Sequence, residues 1–206
     1  MQRVMKTIIF ISIVLLSTSL FAGNKSGKLE VGDKAVLTDY KMTEVSGKDI
    51  SIADAKKENG LVVLFSCNKC PFVIRWEDRY DDIKVWADKN DVGMIVLNSN
   101  YQKRDGDDSF EAMKLKAEEH DYTFPYVLDK ESLIANAYGA QTTPHVFLFD
   151  GDLKLAYKGA IDDSYKGADE VTQAYLKDAI FSIGAGDKVA IAETKPVGCG
   201  IKRKVE

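Results

Sequence analysis

Several things are scarce in this sequence. Its 206 residues include three cysteines and two histidines. A tetrahedral zinc site on two of those cysteines would therefore need further ligands from Cys199, His120 and His145, and none of these has the short partner spacing of a zinc ribbon. Positive charge is not in excess: 28 Lys and Arg face 32 Asp and Glu, for a formal net charge of −4. No basic face is available to neutralise nucleic-acid phosphates, which excludes nucleic acid as a partner. Neither a Gly-rich nucleotide fingerprint nor a flavin-binding motif is visible, so no cofactor is expected, and any redox activity must exchange its electrons with another protein or a small thiol. Internal repeats and low-complexity tracts are lacking too. With 45% hydrophobic residues, the chain is long enough for one domain with a sizeable core.

An apolar run in the leader resembles a targeting segment. Arg3 and Lys6 give it a positive start, Ile8 to Leu16 an apolar stretch broken only by Ser12, and Ala22 a small residue for cleavage. Thr7 to Ala22 is shorter than the roughly 20 apolar residues of a spanning helix, so the segment reads as a cleaved signal peptide and not as a stable membrane anchor. The expected organisation is a signal peptide over 1–22, a polar linker over 23–28, a domain over 29–190 and a tail over 191–206 that carries Cys199. The expected location is the periplasm or the medium, where disulfides persist.

The pattern after the linker is α/β. Met42 to Val45 and Asp49 to Ile52 flank Ser46-Gly47-Lys48 as an N-terminal hairpin. Leu61 to Phe65 is apolar on both faces, as a central strand covered on both sides must be. Helical spacing of Phe72, Trp76, Ile83 and Trp86 predicts a helix over 71–89 and places both tryptophans in the core. A second buried strand follows at 92–97, then a helix capped by Asp108 or Ser109 and running to about His120. Tyr126 to Leu128 is a short extended run, and a short helix over 132–138 stops at Gly139. A hairpin of 145–149 and 153–157 and a last helix over 171–183 complete the series.

The strand at 61–65 runs straight into Cys67-Asn68-Lys69-Cys70-Pro71. A Cys-x-x-Cys at a strand-to-helix junction brings two thiols together beside unpaired first-turn N–H groups, which stabilise a thiolate, the reactive form. Cys67 is the expected nucleophile and Cys70 the resolving thiol. Lys69 adds positive charge that would favour the Cys67 thiolate, and Pro71 suits a first helical turn. A metal half-site and an inert structural disulfide remain open alternatives.

These residues, with Val31-Gly32-Asp33-Lys34-Ala35, Tyr138 to Pro144, Gly159 to Asp163 and Gly198-Cys199-Gly200-Ile201-Lys202, resemble the thioredoxin-like superfamily. Within it they resemble the AhpC/TSA-type, peroxiredoxin-like redoxins that carry Cys-x-x-Cys-Pro. The resemblance implies a central mixed sheet flanked by helices. It also implies a cis proline at Pro144 facing the cysteines, with the backbone of Thr143 pairing with an incoming peptide as an added strand. The implied activity is thiol-disulfide exchange with a protein disulfide, a small thiol or a peroxide, served by a separate electron donor or acceptor. Peroxiredoxins carry Thr or Ser three residues before the peroxide-reducing cysteine and a proline further upstream. Aligned on Cys70 these positions hold Cys67 and Val63, and aligned on Cys67 the threonine position is Leu64. Efficient peroxidase chemistry is therefore not expected, though slow reduction through a sulfenic acid is open.

Cys199 is a candidate third redox thiol if the tail folds back over the pair. His145, next to Pro144, is either a solvent-facing strand residue or a base or soft-metal ligand. With Cys67 and Cys70 it would complete a copper-holding set, the alternative function. Arg75 and Arg79 read as solvated, and Asp162 and Asp163 as loop residues or caps.

Overall fold

The computed structural model describes residues 27–205. The expected signal peptide and most of the linker lie outside these. Among the described residues no helix is long and apolar enough to cross a membrane.

The chain opens with a hairpin, β1 (Met42–Glu44) and β2 (Asp49–Ile50), followed by a one-turn helix α1 (Ile52–Ala55) with a Ser51–Asp54 capping box. Next comes β3 (Gly60–Ser66), in which all seven residues are buried. Its alternate side chains face two cores. Val62 and Leu64 pack with Trp76, Tyr80 and Ile83, and Leu61, Val63 and Phe65 with Ile134, Tyr138 and Phe147. Both faces are covered, so the strand is a continuous apolar run rather than an alternating one.

α2 (Pro71–Trp76) and α3 (Tyr80–Lys89) follow, separated by a 3₁₀ turn at Glu77–Arg79. The single helix expected over 71–89 is thus interrupted. The reason is Arg79, whose guanidinium donates to the Arg75 carbonyl at 2.6 Å and to the Ser164 carbonyl at 2.9 Å, and pairs with Asp162 at 3.1 Å. A side chain inserted into the carbonyl ladder bends a helix at that point. Arg79 is therefore not solvated but buried in an ion pair with Asp162, a loop residue that is itself buried, and Trp76 donates its indole N–H to the same Asp162 at 3.1 Å.

β4 (Val92–Asn98) lies parallel to β3, and α4 (Phe110–Glu119) starts behind Ser109, which accepts the Ala112 N–H. β5 (Tyr126–Leu128) is parallel to β4, and α5 (Leu133–Tyr138) closes on Gly139 in the left-handed region at φ 71°. β6 (Thr142–Thr143) leads through a cis peptide at Pro144 into β7 (His145–Asp150), which pairs antiparallel with β3 and with β8 (Leu155–Gly159). The last helix, α6 (Tyr175–Gly184), starts four residues later than its apolar pattern suggests, after a 3₁₀ turn at Ala168–Glu170. β9 (Cys199–Gly200) pairs with β6. The main sheet has the order β2-β1-β5-β4-β3-β7-β8, a mixed sheet flanked by helices.

Candidate active site

β3 ends at Ser66, opposite Asn98 in the parallel strand β4, and the cysteine loop leaves the sheet there. The loop is held from below by buried polar groups. Asp108 accepts the Asn68 N–H at 2.8 Å and the side-chain amides of Asn98 and Asn100 at 2.8 and 3.0 Å. Tyr126 donates to the Asn68 side chain at 2.8 Å and accepts from Asn98 at 2.9 Å. Every member of this network is buried and partnered, the condition under which such networks rigidify a site. From sequence, Asp108 reads only as a helix cap. Ser109 holds the cap, and Asp108 fixes the position of the cysteine loop. The available signal was the cluster Asn98-Ser99-Asn100 directly after a buried strand, where polar residues at a strand's carboxyl end line a crevice.

Both sulfurs converge on Thr143. Cys67 Sγ lies 3.3 Å from its hydroxyl and Cys70 Sγ 3.3 Å from its carbonyl oxygen. The residue before the cis proline is therefore brought to the pair from 73 and 76 positions away in sequence. All three cysteines are thiols, and Cys199 packs against the cluster of Cys67, Cys70 and Val73. A cavity of about 170 Å³ opens on this cluster, lined by the three cysteines, Thr143, Lys69, Lys103, Lys202, Asp107 and Asp108 among others. The larger clefts elsewhere hold neither thiol nor histidine.

The two members of the pair differ electrostatically, and in the opposite sense to the sequence expectation. The helix begins at Pro71, so Cys70 and not Cys67 occupies the capping position. Its sulfur receives the Cys67 thiol, then the Cys199 thiol and the N–H groups of Val73 and Cys199. Together these outweigh its desolvation and hold Cys70 down at about 4. The Thr143 carbonyl stands on the other side of the balance, since it bonds Cys70 only while a proton is present. Cys67 is pushed up, first because its thiol donates a hydrogen bond to Cys70 and then by burial, with the Asp108 charge adding to the same direction. Lys69 does not act as the tuning charge: its ammonium lies 2.9 Å from Asp107, its side chain is 72% exposed, and Asp107 is what raises its own pKa.

His145 is buried, not solvent-facing, and does not join the thiols. Its ring sits on the other face of the sheet, 4.7 Å from the Phe147 ring centroid, and its Nδ1 accepts the Gln141 N–H at 3.1 Å. Burial lowers its pKa to about 3 and keeps it neutral. His120 lies at the far end of α4, 3.9 Å from Glu77. Among the described residues no group of three or more His, Cys, Asp or Glu side chains is placed to hold a metal ion.

No curated protein matches the chain. Among solved structures it is similar to an uncharacterized conserved protein from Geobacillus kaustophilus, at 32% identity and a TM-score of 0.79, over 86% of this chain and 94% of that one. It is similar to a hypothetical protein from Sinorhizobium meliloti at 28% identity and a TM-score of 0.78, over 87% and 97%. A peroxidoxin from Mycobacterium tuberculosis shares the fold at 13% identity and a TM-score of 0.57, over 76% and 97%. The AhpC/TSA family model matches residues 31–158, a span that includes the cysteine pair, the polar network beneath it and Thr143-Pro144. The chain belongs to the AhpC/TSA family of thioredoxin-like oxidoreductases.

Proposed function

We infer that the protein is an exported thiol-disulfide oxidoreductase that cycles Cys67 and Cys70 between dithiol and disulfide, with Cys70 making the first attack. The convergence of both sulfurs on Thr143 at 3.3 Å carries the dithiol reading. The choice of Cys70 as first nucleophile is supported by its place at the helix start beside the Cys67 and Cys199 thiols, which favour its thiolate over the bond to the Thr143 carbonyl. In the first step the Cys70 thiolate attacks one sulfur of a substrate disulfide, and the other leaves as a thiolate that takes up a proton. Cys67 then loses its proton and attacks the Cys70 sulfur. The second substrate thiolate departs, and Cys67–Cys70 is left as a disulfide. Read in reverse, the same steps oxidise a substrate dithiol.

A small peroxide uses the same thiolate slowly. Attack on oxygen breaks the O–O bond, releases water or an alcohol, and leaves a sulfenic acid at Cys70 that condenses with Cys67. Cys67 in place of the family's threonine serves as resolving thiol rather than as a hydrogen-bonding group for the peroxide. Export rests on the leader over 1–22, and the substrates are protein disulfides or small thiols and oxidants.

The order of attack is tested by trapping in a Cys199→Ser background. On exposure to glutathione disulfide, Cys67→Ser accumulates a glutathione adduct on Cys70, read by intact mass, while Cys70→Ser stays unmodified at pH 6. An adduct on Cys67 in the Cys70→Ser chain, and none on Cys70, reverses the assignment.

A further inference from the structure

The groove beside Thr143 already has an occupant. β9 pairs antiparallel with β6 so that Cys199 stands directly opposite Thr143 and Gly200 opposite Thr142. This is the edge at which an extended substrate peptide would add as a strand. The tail is fastened on both sides of the cleft. On one side Ile201 donates to the Gln141 carbonyl at 3.1 Å. On the other, Lys202 donates to the Asn100 side chain at 2.9 Å and its carbonyl accepts the Gln102 N–H at 3.0 Å. The approach is close: a Cβ placed on Gly198 would stand 2.3 Å from the Thr143 carbonyl oxygen, so this backbone position tolerates only glycine without a shift. The register packs Cys199 against the cluster of Cys67, Cys70 and Val73, and all three cysteines line one cavity.

We propose that the tail is a built-in substrate strand and that Cys199, which it presents, is a second disulfide partner of Cys70. The inference rests on the dithiol chemistry proposed above. From the Cys67–Cys70 disulfide, the Cys199 thiolate attacks the Cys70 sulfur and forms the Cys70–Cys199 bond. The Cys67–Cys70 bond breaks, and its electron pair leaves on Cys67, which takes up the proton that Cys199 gave to solvent. No electrons enter or leave, so the oxidised protein distributes between two disulfide isomers. In the second isomer the tail is covalently closed over the peptide groove and Cys67 is a free thiol. Burial and the adjacent Cys70 thiolate keep Cys199 protonated in the dithiol form. Once Cys70 enters a disulfide that negative neighbour is gone and burial alone still opposes the thiolate, so Cys199 ionises more readily after oxidation than before it.

The test is to oxidise the Cys67→Ser chain with glutathione disulfide, trap free thiols by alkylation and map disulfides by mass. The expected product is a monomer joined Cys70–Cys199, formed when Cys70 attacks glutathione disulfide and Cys199 displaces the bound glutathione. Adding Gly198→Ala displaces the strand and lowers the yield of this intramolecular bond roughly tenfold, because effective concentration collapses when geometry is lost. A persistent glutathione adduct on Cys70 with Cys199 free, a disulfide-linked dimer, or a yield indifferent to Gly198→Ala overturns the proposal. The Cys199→Ser chain separates the two levels. If it closes Cys67–Cys70 reversibly while Cys67→Ser gives no Cys70–Cys199, only this inference fails. If it closes no disulfide either, the dithiol reading itself fails.

Discussion

The cysteine loop after β3 and the tail at β9 both deliver thiols to one cleft, yet they are held there by different means. The loop stands on fully buried groups: Asn68, Asn98, Asp108 and Tyr126 form a closed hydrogen-bonded set, and the helix behind it is locked by the Arg79–Asp162 pair. Among the described tail residues only Ile201 is fully buried, and Val197 is half-buried against the core. Thr194 bonds Tyr157 and the Ala160 N–H, and Arg203 donates to the Ala140 carbonyl and the Asn136 side chain. The rest is backbone bonds and exposed charges such as Lys204 on Glu131 at 3.0 Å. A fully buried aliphatic side chain contributes roughly 1.5–3 kcal/mol, and exposed ion pairs add about 0–1 kcal/mol. The tail past Gly198 is thus held more lightly than the loop, whose opening requires breaking a buried network. One wall of the cleft is rigid and the other can leave, which is what an exchangeable occupant of a substrate groove requires.

The largest expected contrast is in reactivity. Cys70, held at about 4, loses its reactive thiolate only as pH falls through that value, so its alkylation rate is flat between pH 6 and 8. Cys199, shifted upward, is silent over the same range. An ordinary thiol is only about 0.3% ionised at pH 6, and although a low-pKa thiolate is intrinsically the weaker nucleophile, site-resolved alkylation at that pH favours Cys70 over Cys199. Equal rates at the two sites would remove the distinction between the walls.

Stability ranks next. Asp108→Ala strands three buried donors that now share one carboxylate and costs about 3 kcal/mol or more in chemical denaturation. A loss under about 1 kcal/mol means that the loop does not depend on the network. The smallest effect is expected on the tail. Ile201→Ala lowers global stability by about 1 kcal/mol or less, while the amides of Ile201 and Lys202 lose most of their hydrogen-exchange protection by local opening. Global destabilisation as large as that of Asp108→Ala would show that the tail is part of the cooperative core.

The same contrast explains what could be read from the sequence. The all-apolar run at 61–65, the Ser46-Gly47-Lys48 turn, the Ser109 cap and the Gly139 stop are local signals, and each element forms within a few residues of where they place it. The cysteine pair declared itself because its spacing and its strand-to-helix setting are also local. What escaped was carried by distant partners. Lys69 reads as a charge beside Cys67 until Asp107, 38 positions on, turns it away. Arg79 reads as solvated until Asp162 and Ser164 bury it. The helix starts at Pro71, which puts Cys70 rather than Cys67 at the capping position, and a shift of a residue or two in a helix start lies below what periodicity resolves. The Gly-, Lys- and Arg-containing tail carries no periodic signal at all, and its position follows only from its register with Thr142 and Thr143.

The most direct measurement is to equilibrate the Cys199→Ser chain across a glutathione redox series, trap the thiols, and follow the Cys67–Cys70 disulfide by mass. A reversible two-electron transition that joins these two cysteines, with a midpoint inside the range of known dithiol oxidoreductases, about −270 to −120 mV, is the expected result. A pair that never closes, or that stays closed under mild reductant, would contradict a redox role for the site.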